Sequence, residues 1–277
     1  MSALKYWVWL TTLPGLGERA RLQLLAHFGS PEEIYFAPEG ELLLAEGITK
    51  LQAALLADKS LDRAERVLED CAKDGQFVLT MDDAGYPDRL RSIYDPPLLL
   101  YGKGSLPLFD EEVAITVVGT RSCTPYGVRA ASQLGYELAK QGALLVSGMA
   151  KGIDGEALLG ALRAGGFTAA VLGGGVDVIY PAANRRLYED IAATGVILSE
   201  YPPGTEPKAE HFPVRNRLLS ALSLATVVVE APEKSGALIT AATALEQGRE
   251  VFAVPGPFDA PMSRGSNALI REGAGLV

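Results

Sequence analysis

Residues 115–154 read ITVVGTRSCTPYGVRAASQLGYELAKQGALLVSGMAKGID, and their pattern decides the fold. A short β-branched run (Ile115, Val117, Val118) breaks at Gly119, and Val128, Ala131, Leu134 and Leu138 then recur at helical spacing. Gly142 closes that helix, and Ala143–Val146 forms a second apolar run that stops at Gly148. Strand, glycine turn, helix, strand, glycine turn is a βαβ unit. The carboxyl ends of its two parallel strands are the edge at which such sheets take ligands. Arg121 stands on the first of those loops and Lys151 on the second. Glycines admit close approach of backbone N–H groups to an anion, and the helix starts that follow add positive dipole.

The alternation continues to the end of the chain. Helices are predicted over residues 152–165, 184–193, 211–223, 238–247 and 267–273, and strands over 168–172, 196–199, 226–229 and 251–254. Six parallel strands with right-handed helical crossovers make an α/β, enlarged Rossmann-like, doubly wound and mostly parallel sheet. Residues 77–80 and 98–101 are predicted as further strands at one edge.

Positive charge gathers on the predicted strand-end loops. Arg121 follows Gly119; Lys151 and Gly152 follow Ser147-Gly148; Arg215, Asn216 and Arg217 fall in the first turn of a helix; Lys234 precedes Ser235-Gly236. Gly265, Ser266 and Asn267 open another helix with small polar donors. Cations at a helix N-terminus oppose its dipole, so their presence there points to a bound anion. Any one of these is an ordinary solvated cation; five such loops on one rim point to a phosphate-binding groove. Asp154, Asp177, Glu200 and Glu230 also fall near strand ends. Asp154 reads as a brace for a helix start, and Glu200 and Glu230 as holders of the arginines. No G-x-S-x-G elbow, H-E-x-x-H motif or P-loop occurs, and no G-x-G-x-x-G follows the first strand, so hydrolase, zincin, ATPase and dinucleotide readings lack support.

Residues 1–74 read as a separate small all-α domain ahead of a 75–277 sheet domain. Leu13-Pro14-Gly15-Leu16-Gly17 between two apolar-periodic helices is similar to the turn of a helix-hairpin-helix or SAM-like unit, with a degenerate second copy around Gly47. Acidic neighbours make accessory packing the plainer reading of that turn. Of the net charge of −9, residues 1–112 carry −8, from 11 Lys+Arg against 19 Asp+Glu, so the sheet domain is nearly neutral and free to carry a basic groove. Two cysteines and two histidines offer neither a disulfide framework nor a zinc spacing. Met1–Lys5 runs into a helical pattern without a cleavage site, and no apolar run approaches the roughly 18–20 residues of a membrane span; a cytoplasmic protein is expected.

Val118-Gly-Thr-Arg121, Ser147-Gly-Met-Ala-Lys-Gly-Ile-Asp154, Val171-Leu-Gly-Gly-Gly175 leading to Tyr180-Pro181, Ser199-Glu-Tyr-Pro202, Phe212-Pro-Val-Arg-Asn-Arg217, Ser235-Gly-Ala-Leu-Ile-Thr240, Gly248–Gly256 and Gly265-Ser-Asn267 occur in this order. As a set they closely resemble the DprA/Smf family of DNA-processing proteins. The resemblance is dense over 75–277 and loose before it. It implies a non-enzymatic protein of natural transformation that binds and protects incoming single-stranded DNA, helps load the RecA recombinase, works as a homodimer and uses no cofactor. It also implies phosphate contacts from Arg121, Lys151, Arg215, Arg217 and Lys234, with backbone donors at Gly119, Ser147, Gly148, Gly152, Gly265 and Ser266. Two departures stand out: Glu156-Ala157-Leu158-Leu159 follows the Gly-Ile-Asp motif where the family often has a histidine, and many members continue into a winged-helix domain beyond the point where this sequence stops at Val277. Phe212, Tyr180 and Tyr201 are candidates for base stacking, with core packing the preferred reading for Phe212. Leu269, Ile270 and Leu276 are candidates for a dimer seam. The alternative is a nucleoside-monophosphate-binding phosphoribohydrolase, which requires a P-G-G-x-G-T loop; this chain has Pro255-Gly256-Pro257.

Overall fold

The computed structural model describes residues 3–277; Met1 and Ser2, where the reading of an absent leader begins, lie outside the described residues. The chain opens with six helices, α1 (Leu4–Thr12), α2 (Glu18–Phe28), α3 (Pro31–Phe36), α4 (Glu39–Leu42), α5 (Lys50–Leu55) and α6 (Asp62–Lys73). The α1–α2 turn places Gly15 at φ +80°, and Gly47 between α4 and α5 has φ +75°, a region open to glycine without strain. Leu13 and Leu16 of the first hairpin are buried. Thr49 caps α5 through a reciprocal capping box with Gln52.

The sheet part follows as β1 (Phe77–Thr80), α7 (Asp88–Arg91), β2 (Leu99–Gly104), β3 (Ala114–Val118), α8 (Pro125–Lys140), β4 (Leu144–Ser147), α9 (Ile153–Arg163), β5 (Thr168–Val171), α10 (Arg185–Thr194), β6 (Val196–Ser199), α11 (His211–Ala221), β7 (Ala225–Val228), α12 (Gly236–Glu246), β8 (Glu250–Ala253), α13 (Arg264–Arg271) and β9 (Gly275–Leu276). Among the described residues these strands form one sheet in the order β1-β2-β6-β5-β4-β3-β7-β8-β9. β1 and β2 are the antiparallel edge; Gly102 of β2 faces Phe77 of β1, whose ring occupies the space a side chain would need. The expected six parallel strands are present, and β9 adds a seventh beside β8. Its two residues are too short to register as a periodicity.

β4 shows how a continuous apolar strand serves two layers. Leu144 and Val146 pack with Leu218 of α11, Leu222 just beyond it and Ala241 of α12, whereas Leu145 packs with Ile153 and Ala157 of α9. On the second face α8 and α9 meet backbone to backbone: a Cβ at Gly135 would lie 2.1 Å from the Ala157 carbonyl oxygen, and one at Gly160 2.1 Å from that of Ser132. The helical part shares this second core, through Trp7, Val8 and Leu10 together with Leu99 and Tyr101. No helix among the described residues is long and apolar enough to cross a membrane.

The strand order fixes where a ligand can enter. β4, β5 and β6 wind outward on one side of β3, and β7 and β8 on the other. The connections diverge at the carboxyl ends of β3 and β7, which leaves a crevice there.

Candidate functional site

The crevice holds a cleft of about 300 Å³ lined by Gly119, Thr120 and Arg121 after β3, Ala150 and Asp154 after β4, Phe212, Arg215 and Asn216 of α11, and Lys234 and Ser235 before α12. Its tightness begins with two glycines. A Cβ at Gly119 would lie 2.5 Å from Ile153 Cγ1, and one at Gly152, where φ is +80°, would lie 2.4 Å from the Thr120 carbonyl oxygen. The loops after β3 and β4 are therefore pressed together, and Ile153 N–H donates to the Thr120 carbonyl at 3.3 Å. The Thr120 N–H in turn donates to the Glu230 carbonyl at 2.7 Å, which ties in the end of β7.

The amides that glycine spacing offers to a phosphate are met from inside. Gly148 N–H donates to the Asp154 carboxylate at 3.2 Å, and the amides of Gly119 and Ala150 face the same group. Burial pushes the Asp154 carboxyl above the usual carboxylate range, against the pull of Arg215 and those amides. Arg215 is also buried, with 3% exposure, and donates to the carbonyls of Gly148 (2.9 Å) and Val171. Desolvation brings its guanidinium down to about 10, still protonated at neutral pH. Its guanidinium fills the space beside Gly148, where a Cβ would lie 2.4 Å from a terminal nitrogen.

The accessible charge belongs to Arg121 and Lys234, both exposed. The Arg121 guanidinium sits 4.6 Å from the centroid of the Phe212 ring, and that of Arg215 6.0 Å from it. Phe212 is half-buried at the cleft, not in the core as its sequence context suggested, and Tyr180, 46% exposed, lies 5.8 Å from it. Tyr201 stacks on His211 at 4.1 Å.

The remaining sequence candidates fall elsewhere. Ser147 is buried and donates its hydroxyl to the Val117 carbonyl at 2.6 Å. Lys151 is exposed on the crest of the β4–α9 loop, outside the cleft lining. Arg217 turns to a neighbouring groove, where it makes a two-pronged ion pair with Glu200 (2.6 and 2.8 Å) and a third bond to Asp95 (2.9 Å). Helix geometry accounts for this: Arg215 and Arg217 are two positions apart and point in different directions. The Gly265–Asn267 turn belongs to packing: Gly265 N–H donates to the Ala231 carbonyl, Ser266 to that of Ser263, and Asn267 exchanges two hydrogen bonds with the Gly256 backbone. Leu269 and Ile270 are half-buried and Leu276 is 67% exposed; Ile270 and Leu276 flank a groove with Phe258, which is 92% exposed.

Glu200 holds an arginine, as its position suggested. Glu230 instead accepts from the N–H and hydroxyl of Thr124, both at 2.8 Å, and so braces the start of α8. Asn184 was not anticipated. Its Nδ2 donates to the carbonyls of Met149 (2.8 Å) and Ala150 (3.3 Å), and fixes a loop in which Met149 adopts φ +53°. A metal has no cluster of three or more His, Cys, Asp or Glu among the described residues.

The profile of the family described as DNA recombination-mediator protein A matches residues 77–277. DNA processing protein DprA of Bacillus subtilis is 44% identical over 212 residues, covering 76% of this chain and 71% of that protein. Protein Smf of Synechocystis is 40% identical over 276 residues, covering 98% of this chain and 69% of that protein. The crystal structure of DprA from Streptococcus pneumoniae superposes with a TM-score of 0.87 at 35% identity, covering 99% of this chain and 94% of that one. The DNA processing protein A of Helicobacter pylori, whose structure is described in terms of its single-stranded DNA binding mode, superposes with a TM-score of 0.66 at 34% identity, covering 72% and 90%.

Proposed function

The chain belongs to the DNA recombination-mediator protein A family, the DprA/Smf proteins, and from that premise we propose that it binds single-stranded DNA without reading sequence, through the crevice between β3 and β7. The observation that carries the reading is the meeting of exposed Arg121 and Lys234 with a half-buried Phe212 at the switch point of the sheet. A guanidinium above an aromatic ring offers one group for a phosphate and one for a base face, which suits a flexible strand whose bases are free to turn out. Its relative from Helicobacter pylori is described as binding single-stranded DNA, which supports the same assignment here.

In this reading Arg121 and Lys234 touch phosphate, Asn216 lines the contact, and Arg215 with Asp154 holds the loops in position. Lys151 contacts the strand from the crest. The protein acts in the cytoplasm as a homodimer that protects incoming DNA and helps load RecA, with Ile270 and Leu276 in the dimer seam. Residues 1–74 form the accessory helical domain and 75–277 the binding domain. Binding is measured by fluorescence anisotropy with oligodeoxythymidine against increasing salt. A steep salt dependence with preference over duplex is expected; equal affinity for duplex and single strand refutes the reading.

A further inference from the structure

Lys151 stands outside the cleft, yet the loop that carries it has a second neighbour. Asn184, at the start of α10, donates to the carbonyls of Met149 and Ala150 on that loop. α9 and α10 each follow a parallel strand and run side by side away from the same rim. Between them lies a groove of about 860 Å³, larger than the cleft, whose lining includes Asn184. Leu159, Leu162, Phe167 and Leu187 form its apolar wall, and Arg163 and Arg186 line it, the Arg163 guanidinium donating to the Ser132 hydroxyl of α8 at 3.2 Å. Lys151, Arg163, Arg185 and Arg186 are all exposed, and Asp190 is the acid in the groove lining. Glu156 and Glu189 lie outside the lining.

We propose that the α9–α10 groove is a second stretch of the nucleic-acid path, entered from the cleft over Lys151. The strand crosses the crest of the β4–α9 loop and passes Arg185. Its phosphates then meet Arg186 and Arg163, and its base faces lie against Leu159, Leu162 and Phe167. Two observations select a nucleic acid over a peptide. The cleft and the groove share one loop, so a strand leaving one is delivered to the other. Within the lining, Arg163 and Arg186 outnumber Asp190, and from crest to groove Lys151, Arg163, Arg185 and Arg186 outnumber Glu156, Glu189 and Asp190, the sign a polyanion requires. The inference rests on the proposed role of the cleft and extends it. α9 has 11 residues and spans about 16 Å, so the groove adds only a few nucleotides to the footprint.

The test compares a short oligodeoxythymidine, just long enough to fill the cleft, with a long one, using the intact chain. Arg163→Glu with Arg186→Glu is expected to weaken the long oligonucleotide roughly tenfold at low salt and to lower its salt slope by about 1.4, the share of two single-strand phosphate contacts, while the short one is unchanged. Unchanged affinity for the long oligonucleotide overturns the proposal, as does an equal loss at both lengths. Arg121→Ala is read alongside: if it weakens neither length, the cleft reading has failed; if it weakens both while the double variant weakens neither, only the groove has. Should the charge reversals unfold the protein, the pair Arg163→Gln and Arg186→Gln is read in the same way, with the same change in salt slope and a smaller loss of affinity expected, because the added repulsion is absent.

Discussion

Replacing Arg217 by alanine separates a structural arginine from a phosphate contact. Its guanidinium is 9% exposed and the Glu200 side chain 13%, with three hydrogen bonds between 2.6 and 2.9 Å on Glu200 and Asp95. Removing it leaves Glu200 buried without its counter-charge, a loss of about 3–5 kcal/mol. Asp95 is 47% exposed, so its part is below about 1 kcal/mol, and Asp95→Asn is expected to be nearly silent. At about 2 °C per kcal/mol for a chain of this size, Arg217→Ala should lower the melting temperature by roughly 6–10 °C at pH 7. The pH dependence carries a definite sign. Burial already holds the Glu200 carboxyl above the usual range, and losing Arg217 raises it further. The folded variant then keeps a proton that the unfolded chain has released, so its stability rises as the pH falls from 7 toward the ordinary value of 4.5. Thermal melts at pH 7 and pH 5 measure this, and anisotropy at a temperature where the variant is folded measures binding. A variant as stable as its parent, with a salt slope lower by about 0.7, would refute the reasoning and make Arg217 a phosphate contact.

Three further outcomes are expected. Arg121→Ala should weaken single-stranded DNA of every sequence alike and reduce the salt slope by about 0.7, read by anisotropy from low to moderate salt. Phe212→Ala should cost about 1–3 kcal/mol of single-strand affinity while leaving the weaker duplex binding unchanged, because the lost term is base stacking. Gly148→Ala drives a methyl into the Arg215 guanidinium and should destabilise the fold by about 1–3 kcal/mol, with a fall in affinity that follows the displaced arginine; chemical denaturation and anisotropy report the two effects.

The alternation of apolar runs and glycine turns made the sheet legible, because each parallel strand is buried on both faces and each helix must cover it. β9 escaped because it has two residues, and α13 begins at Arg264, ahead of the periodic residues that marked it. The site was legible as a set of loops but not as a set of directions. Arg215 and Arg217 have the same neighbours in sequence, yet one faces the Gly148 loop and the other Glu200. Ser147 lies at the last position of β4, where strand alternation turns its hydroxyl to the Val117 carbonyl. Asn184 is remote in sequence from the loop it holds, and only the fold brings them together. The start of α8 did carry a readable signal: Thr124-Pro125 is a capping residue followed by proline at the first helical position.

The glycines also say which groups are left to hold a phosphate. Glycine is required wherever backbone approaches backbone, whether or not an anion lies between them, so the same spelling marks a phosphate loop and a packing contact. Here Gly119 and Gly152 admit the crossing of two loops, Gly148 admits Arg215, and the amides of Gly119, Gly148 and Ala150 converge on Asp154. A carboxylate on the chain thus occupies the place of the anion and locks the β3 and β4 loops to the start of α9. A phosphate arriving from solvent meets guanidinium and ammonium groups carried above that locked layer, together with the starts of α11 and α12. Contacts of that kind release counterions and impose little geometry on the sugar or base. On the proposed reading, strong salt dependence and indifference to sequence are therefore expected to share one origin, the internal carboxylate that takes the amides of Gly119, Gly148 and Ala150 away from the binding surface.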